Sequence, residues 1–340
     1  MNDYGGGIRR RGRTLLIVEG KHEKNGLFWL VFRCFPEIRI DMKDVWIYGT
    51  NIYLLYNDIV NEYGVQWIQD DIDLPFVISK KKNFESLCYK EDFTNIILVF
   101  DYERHDTNFS ETKILEMQNY FTDATEVGKL YINYPMIESY QHLAALPDLD
   151  YAERKIAVTL QPGAKYKELV RRETVIAACI EFPHKIEELL SQRYGIRNEA
   201  VLKLCCDSLL EISEEEGIER NLQEILQEAI ADAGLKTAKY QLLNLILKLG
   251  YIHNGESYWQ YMRRIFQQII LHNICKAHRI QTGSFRIDEG QYKECLERID
   301  LTEILELQNT AGRDHFDGFI WVLNTCVLFV AEYNFQFVIN

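Results

Sequence analysis

The sequence predicts an α/β protein, with a parallel four-stranded sheet and flanking helices followed by a mostly α-helical C-terminal domain. Three observations carry that expectation. From Thr14 to about Asp150, short apolar runs rich in β-branched and aromatic residues alternate with longer amphipathic segments. After about Asp150 the strand signal fades and helical periodicity takes over. Apolar residues make up 47% and charged residues 26% of the 340, a balance that suits a globular chain long enough for two ordinary domains.

Residues 1–13, MNDYGGGIRRRGR, read as a flexible basic arm, because no continuous apolar segment follows to make them a secretory leader. The runs TLLIV (14–18), VWIYG (45–49), NIILVF (95–100) and KLYINY (129–134) are apolar almost throughout, as expected of strands buried on both faces. Between them, KNGLFWLVFRCF, NIYLLYNDIVNEYG and SETKILEMQNYF have helical length and spacing, with Ser110 placed to cap the third. Residues 65–94 are too many for a bare connection and predict a helical insertion around residues 84–93. The domains expected are therefore 14–150 and a helical domain at 151–340. Within the latter, residues 175–195, 218–234, 238–250 and 258–278 have helical patterning. The most apolar stretch, FIWVLNTCVLFVAEYNF (319–335), is interrupted by Asn324, Thr325 and Glu332 and falls short of the ~18 apolar residues of a membrane span. It reads as a buried helix, and no membrane association is expected. Eight cysteines without a CxxC pair predict a reducing, cytoplasmic setting.

With 51 acidic against 38 basic side chains, the net charge of -13 excludes a constitutive, charge-driven coat for nucleic acid. It leaves room for a local site that binds a cation first. The acids fall where ligands bind in open α/β sheets, at the C-terminal ends of the strands. Glu19 follows LLIV directly, and Glu23 lies four residues on, in the first turn of the next helix. The third strand ends LVFDYERHD, and alternation along an extended chain would put Asp101 and Glu103 on one side. Any one of these acids alone reads more readily as a cap or loop residue. If strands one and three are neighbours, however, all four form one cluster that repels itself unless protonated or neutralised by a cation. Hard oxygen ligands without paired cysteine or histidine select Mg²⁺ or Mn²⁺, whose natural chemistry is at a phosphodiester.

IVEGKHE followed by a helix, and LVFDYE at the third strand, resemble the TOPRIM domain shared by topoisomerases, bacterial primases, small ribosomal-RNA maturases and OLD-type nucleases. The resemblance covers about residues 14–140. The family pattern is a Glu after the first strand, matched by Glu19, and an Asp-x-Asp after a later one, matched by Asp101 with Glu103 in place of the second Asp. Glu23 stands where the maturase and OLD branches carry the Asp of Glu-Gly-x-x-Asp. The resemblance implies Mg²⁺-dependent phosphoryl chemistry, with Glu19, Asp101 and Glu103 catalytic and Glu19, Glu23, Asp101 and Glu103 as metal ligands. By the same likeness Glu138, just beyond the fourth strand, is a second-tier acid. Arg104 and His105, which follow the DYE pair, are second-tier contacts for the scissile phosphate or leaving oxygen. Two basic clusters are candidate nucleic-acid contacts: Arg9, Arg10, Arg11 and Arg13, and Lys80, Lys81 and Lys82.

No CxxC supports a primase, and no GxxxxGK[ST] phosphate loop occurs. Size and layout resemble the stand-alone TOPRIM effector of PARIS-type antiphage systems, whose ABC/OLD-type ATPase is a separate protein. That likeness implies a homodimeric nuclease acting on tRNA or DNA as a toxin-like defence effector under the control of a partner ATPase. The alternatives are a catalytically inactive TOPRIM-like interaction module and a constitutive RNA-processing maturase. His272, Cys275 and His278 do not share one tight helical face and read as core and surface residues.

Overall fold

The computed structural model describes residues 12–160, 163–214, 217–229, 235–284 and 289–339. The chain divides into two units, one formed by Met1–Thr174 with Gln267–Asn340 and the other by Val175–Phe266. The first unit opens with β1 (Thr14–Val18) and a wide π-helical turn at Glu23–Phe28 that leads into α1 (Trp29–Cys34). Next come β2 (Val45–Ile47), α2 (Ile52–Tyr63), α3 (Leu74–Lys81), β3 (Asn95–Asp101), α4 (Glu111–Tyr120), β4 (Thr122–Asp123) and β5 (Gly128–Tyr134).

The strands hydrogen-bond in the order β2-β1-β3-β5-β4. The four expected strands run parallel, and β1 and β3 are neighbours, with Val18 paired to Val99. Both are buried along their whole length, which is why their sequences read as unbroken apolar runs rather than alternating ones. Side-chain caps start the helices where polar residues precede apolar periodicity. Asn51 accepts from the Leu54 N–H, and Ser110 accepts from the Lys113 N–H.

The insertion is helical at Leu74–Lys81, earlier than the expected 84–93, where only a short turn forms at Lys90–Asp92. Asp73 decides the start: its side chain accepts from the Phe76 N–H, and Pro75 follows at the helix entrance, where its missing N–H costs nothing. Asp73 also accepts from the Lys90 N–H, tying the end of the segment back to its beginning.

β6 (Lys155–Ala157) and α5 (Ala164–Glu173) follow. The second unit holds α6 (Ala177–Ile180), α7 (Phe182–Arg193), α8 (Glu199–Leu210), α9 (Ile218–Ala229), α10 (Leu235–Leu249) and the start of α11 (Tyr258–Thr282), and is helical throughout its described residues. The remainder of α11, with α12 (Tyr292–Glu297), α13 (Leu301–Ala311), β7 (Phe319–Trp321), β8 (Leu323–Asn324), α14 (Leu328–Tyr333) and α15 (Gln336–Ile339), belongs to the first unit.

Two expectations are thereby corrected. The division does not fall near residue 150, because the C-terminal segment returns to the sheet: β8 pairs antiparallel with β5, β7 pairs antiparallel with β6, and Phe329 packs 6.0 Å from Phe28. Residues 319–335 are not one buried helix, since two short strands precede α14. Asn324 fixes the break by donating to the Ile137 carbonyl and the Ser139 hydroxyl and by accepting from the Val327 N–H. Among the described residues no helix is long and apolar enough to cross a membrane, and all eight cysteines are free. Arg9, Arg10 and Arg11, with the arm expected at 1–13 up to residue 11, lie outside the described residues.

Candidate functional site

The C-terminal rim of the parallel sheet is acidic because β1 and β3 each end on a carboxylate. The turn after β1 is held in place by backbone: the Tyr48 N–H donates to the Val18 carbonyl and the Gly49 N–H to the Glu19 carbonyl, both at 2.8 Å. Glu19 then reaches across to β3, where its Oε2 accepts from the Asp101 N–H at 3.3 Å. Glu23 begins the helical turn and is buried, and its Oε2 accepts from the Gly20 N–H at 2.8 Å. A Cβ at position 20 would lie 3.2 Å from that oxygen, so glycine gives the carboxylate its close approach.

Asp101 is 4% exposed and pairs in register with Asn133 of β5. Its Oδ1 and the Asn133 Nδ2 both lack a hydrogen-bond partner. Glu138, in the turn after β5, gives Oε1 to the Lys167 ammonium of α5 at 2.9 Å, while its Oε2 is buried without a partner. Three orphaned polar atoms thus gather at the ends of β3 and β5, in a protein class where nearly all buried polar atoms are paired.

Glu103 is reached differently from the expectation. The strand ends at Asp101, and Glu103 has a left-handed backbone with φ of 39°, so simple alternation does not place it beside Asp101. Its carboxylate is hydrogen-bonded by the Asn51 side chain, which also caps α2.

The electrostatics are those of one cluster. Burial, then the charges of Glu19, Glu23, Glu138 and Glu103, raise the Asp101 carboxyl well above the usual range. Burial and the Glu103 charge do the same to Glu19, against the Asp101 N–H, which favours its anion. Glu23 is raised by burial and the Glu138 charge, and Glu103 by burial and the neighbouring Asp106. Burial alone would lower the Lys167 ammonium, but its bond to Glu138 and the charges of Glu138, Asp101 and Glu23 outweigh that and raise it. Burial is the largest cause of each carboxyl shift, and the neighbouring negative charges add to it.

Two orphaned carboxylate oxygens among oxygen donors are of the kind a hard cation would take. The expected four-carboxylate shell is not assembled, however: among the described residues no group of three or more His, Cys, Asp or Glu side chains is arranged to hold a metal. The physical reason is visible in the hydrogen bonds, since Glu23 and Glu19 each turn an oxygen to a backbone N–H and Glu103 is held by Asn51. The donor set therefore fits a hard cation in chemistry, with Asp101 the member whose oxygen is free to receive it.

The basic candidates are placed elsewhere. Arg13 pairs with Asp44 at 2.7 Å and lies over the Phe93 ring, at the N-terminal end of β1. Five strand residues, roughly 17 Å, separate it from the acidic rim. Lys80 pairs with Glu62 and Lys81 with Asp58, which neutralises both, whereas Lys82 lies over Tyr48, beside Gly49 and the rim. Arg104 does not face the acids: it donates to the Tyr102 hydroxyl at 3.2 Å, pairs with Glu111 at 3.4 Å and lies over Phe109. His105 is exposed beside it, although its ring loses enough water to the neighbouring cleft to lower its pKa. His272 accepts from the Asp148 N–H and bonds the Gln268 carbonyl, a structural role consistent with the core reading.

Lys167, Asn133 and Asn51 were not singled out from sequence. Asn133 carried a signal, as a lone amide in an otherwise apolar strand, and Asn51 carried that of a helix cap. Lys167 carried none, because only the return of α5 brings it to the rim. Comparison of the chain with protein-family models, curated proteins and solved structures gives no match.

Proposed function

We propose that this chain is a divalent-metal-dependent nuclease of TOPRIM type that hydrolyses phosphodiester bonds in tRNA or DNA. The observation that carries the reading is the buried, orphaned Asp101 carboxylate among Glu19, Glu23, Glu103 and Glu138 at the ends of parallel strands. Asp101, with its free Oδ1, would receive Mg²⁺ or Mn²⁺ first. Glu19 and Glu103 would join it only by turning from the Asp101 N–H and from Asn51, and Glu23 would stay turned to the Gly20 N–H as a supporting charge. When bound, the ion supplies Lewis-acid polarisation and shielding of the anionic phosphate. The chain's own groups do the rest. Lys167 holds Glu138 at the edge of the site, Asn133 offers an unused N–H donor beside Asp101, and without metal the raised carboxyls retain protons that a cation would displace. Homodimerisation, control by a separate ATPase and an antiphage role belong to the same proposal and rest on the resemblance in the sequence.

The test is cleavage of supercoiled DNA and of tRNA with and without Mg²⁺. Glu19→Gln and Asp101→Asn should each lower the Mg²⁺-dependent rate by at least roughly 100-fold, more than is lost with a residue that only orients a ligand. Cleavage that survives both substitutions refutes the reading. One observation favours a second reading, an inactive interaction module: the metal shell is not preassembled. Absence of cleavage, together with no effect of Mg²⁺ on stability, would select it.

A further inference from the structure

A second cluster of charge lies one residue beyond the acids. Arg104, His105, Phe109, Thr159, Arg313 and His315 line a cleft of about 360 Å³ within the first unit. Glu111 accepts from both guanidiniums, from Arg104 at 3.4 Å and from Arg313 at 3.1 Å, so two cations share one carboxylate. In a chain of net charge -13 two guanidiniums thus stand together on one acid, with two imidazoles beside them. The Arg104 guanidinium lies against the backbone of Gly312, where an added Cβ would meet its Nε at 3.0 Å.

The loop that carries Arg313 and His315 is built to hold its shape. Asp314 accepts from the Phe316 and Asp317 N–H groups at 2.7 and 2.8 Å, and the Gly318 N–H donates to the Asp314 carbonyl. A Cβ on Gly318 would stand 2.1 Å from that carbonyl oxygen, so the turn closes only around glycine. Asp314 is thereby used internally, and Asp106, which acts on the His105 ring, Glu111 and the exposed Asp317 are the other acids around the cleft. At the tip, Phe316 is 84% exposed, with its ring 5.9 Å from that of His315. A large aromatic ring kept in water on an ordered loop beside paired arginines combines the two parts of a single-strand platform: cations for the backbone and a π-face for a base.

We propose that this cleft and loop bind single-stranded nucleic acid, with Arg104 and Arg313 on phosphates and Phe316 stacked on a base. The inference deepens the nuclease reading and rests on it for the class of ligand, since Glu103 of the acidic cluster and Arg104 of the cleft are consecutive in the chain. It also gives Arg104 and His105 a place: they grip the strand rather than the phosphate under attack.

Binding can be read without metal or cleavage. Fluorescence anisotropy of labelled single-stranded 12-mers, RNA and DNA, is followed on the full chain in EDTA over a range of salt. Phe316→Ala should weaken binding roughly 10-fold or more and leave the salt slope unchanged. Arg313→Ala should weaken it and lower the slope of log K against log salt by about 0.7. Both side chains are exposed, so unchanged melting temperatures show that folding is intact. Wild-type protein that binds neither strand, or variants that bind like wild type, overturn the proposal. Loop-dependent binding without Mg²⁺-dependent cleavage would refute the nuclease reading alone, and cleavage with loop-independent binding would refute the cleft alone.

Discussion

Asp101→Asn should make the metal-free protein more stable, because folding raises the wild-type carboxyl and, above the ordinary carboxylate pKa, the native chain must either take up a proton there or bury an uncompensated charge. Asp101 is 4% exposed, its Oδ1 has no partner, and four other carboxylates act on it. An unsatisfied buried polar group costs about 1–3 kcal/mol, and asparagine keeps the shape while removing the charge. For a unit of this size, each kcal/mol moves the melting temperature by about 2–4 °C, so a rise of about 2–12 °C is expected in EDTA at pH 8. The pH dependence has a definite sign. A carboxyl raised by folding binds its proton more readily in the native than in the unfolded chain, so stability falls as pH climbs from the ordinary carboxylate pKa through the raised one. The advantage of the variant should therefore shrink at pH 5 and be largest at pH 8. Mg²⁺ should oppose this: an ion at 100 times its Kd stabilises by about 2.7 kcal/mol, and only the wild type keeps the carboxylate charge that receives it. Scanning calorimetry of both proteins in EDTA and in Mg²⁺ measures all of this. A variant less stable than wild type in EDTA at pH 8, or one with the same Mg²⁺ shift, refutes the reasoning.

Lys167→Met removes the ammonium that pairs with Glu138 and opposes the negative charge on Glu103. Discounted for its partial exposure, the loss should be about 1–3 kcal/mol in EDTA, with a larger Mg²⁺ shift than wild type, read by the same calorimetry. Lys276 lies buried over the Trp321 ring and donates to the carbonyls of Tyr151, Ala152 and Arg154 at 2.9, 2.9 and 2.6 Å. Lys276→Met removes three bonds at once, although the Tyr151 and Arg154 carbonyls keep the Arg154 and Val322 N–H groups as donors, and should cost about 1–3 kcal/mol in urea unfolding, with no specific change in Mg²⁺ response. An unchanged midpoint would show that water replaces the ammonium there.

The strands were legible because burial on both faces writes itself as a continuous apolar run, and Glu19 and Asp101 were legible because each ends such a run. What escaped depends on contacts distant in sequence. Glu103 follows Asp101 at the spacing of a strand, yet a left-handed backbone carries it to Asn51. Arg13 precedes the Glu19 strand directly, and for that reason lies at its far end. β7 and β8 are too short to show a period of two, so their apolar run reads as helix until Asn324 is seen bonded to the turn after β5. Arg104 and Arg313 are some two hundred positions apart and meet only on Glu111. Net charge hides this segregation most completely. A chain of -13 averages a rim where burial and mutual repulsion raise the carboxyls and a cleft where two arginines share one acid, and neither can be inferred from the sum.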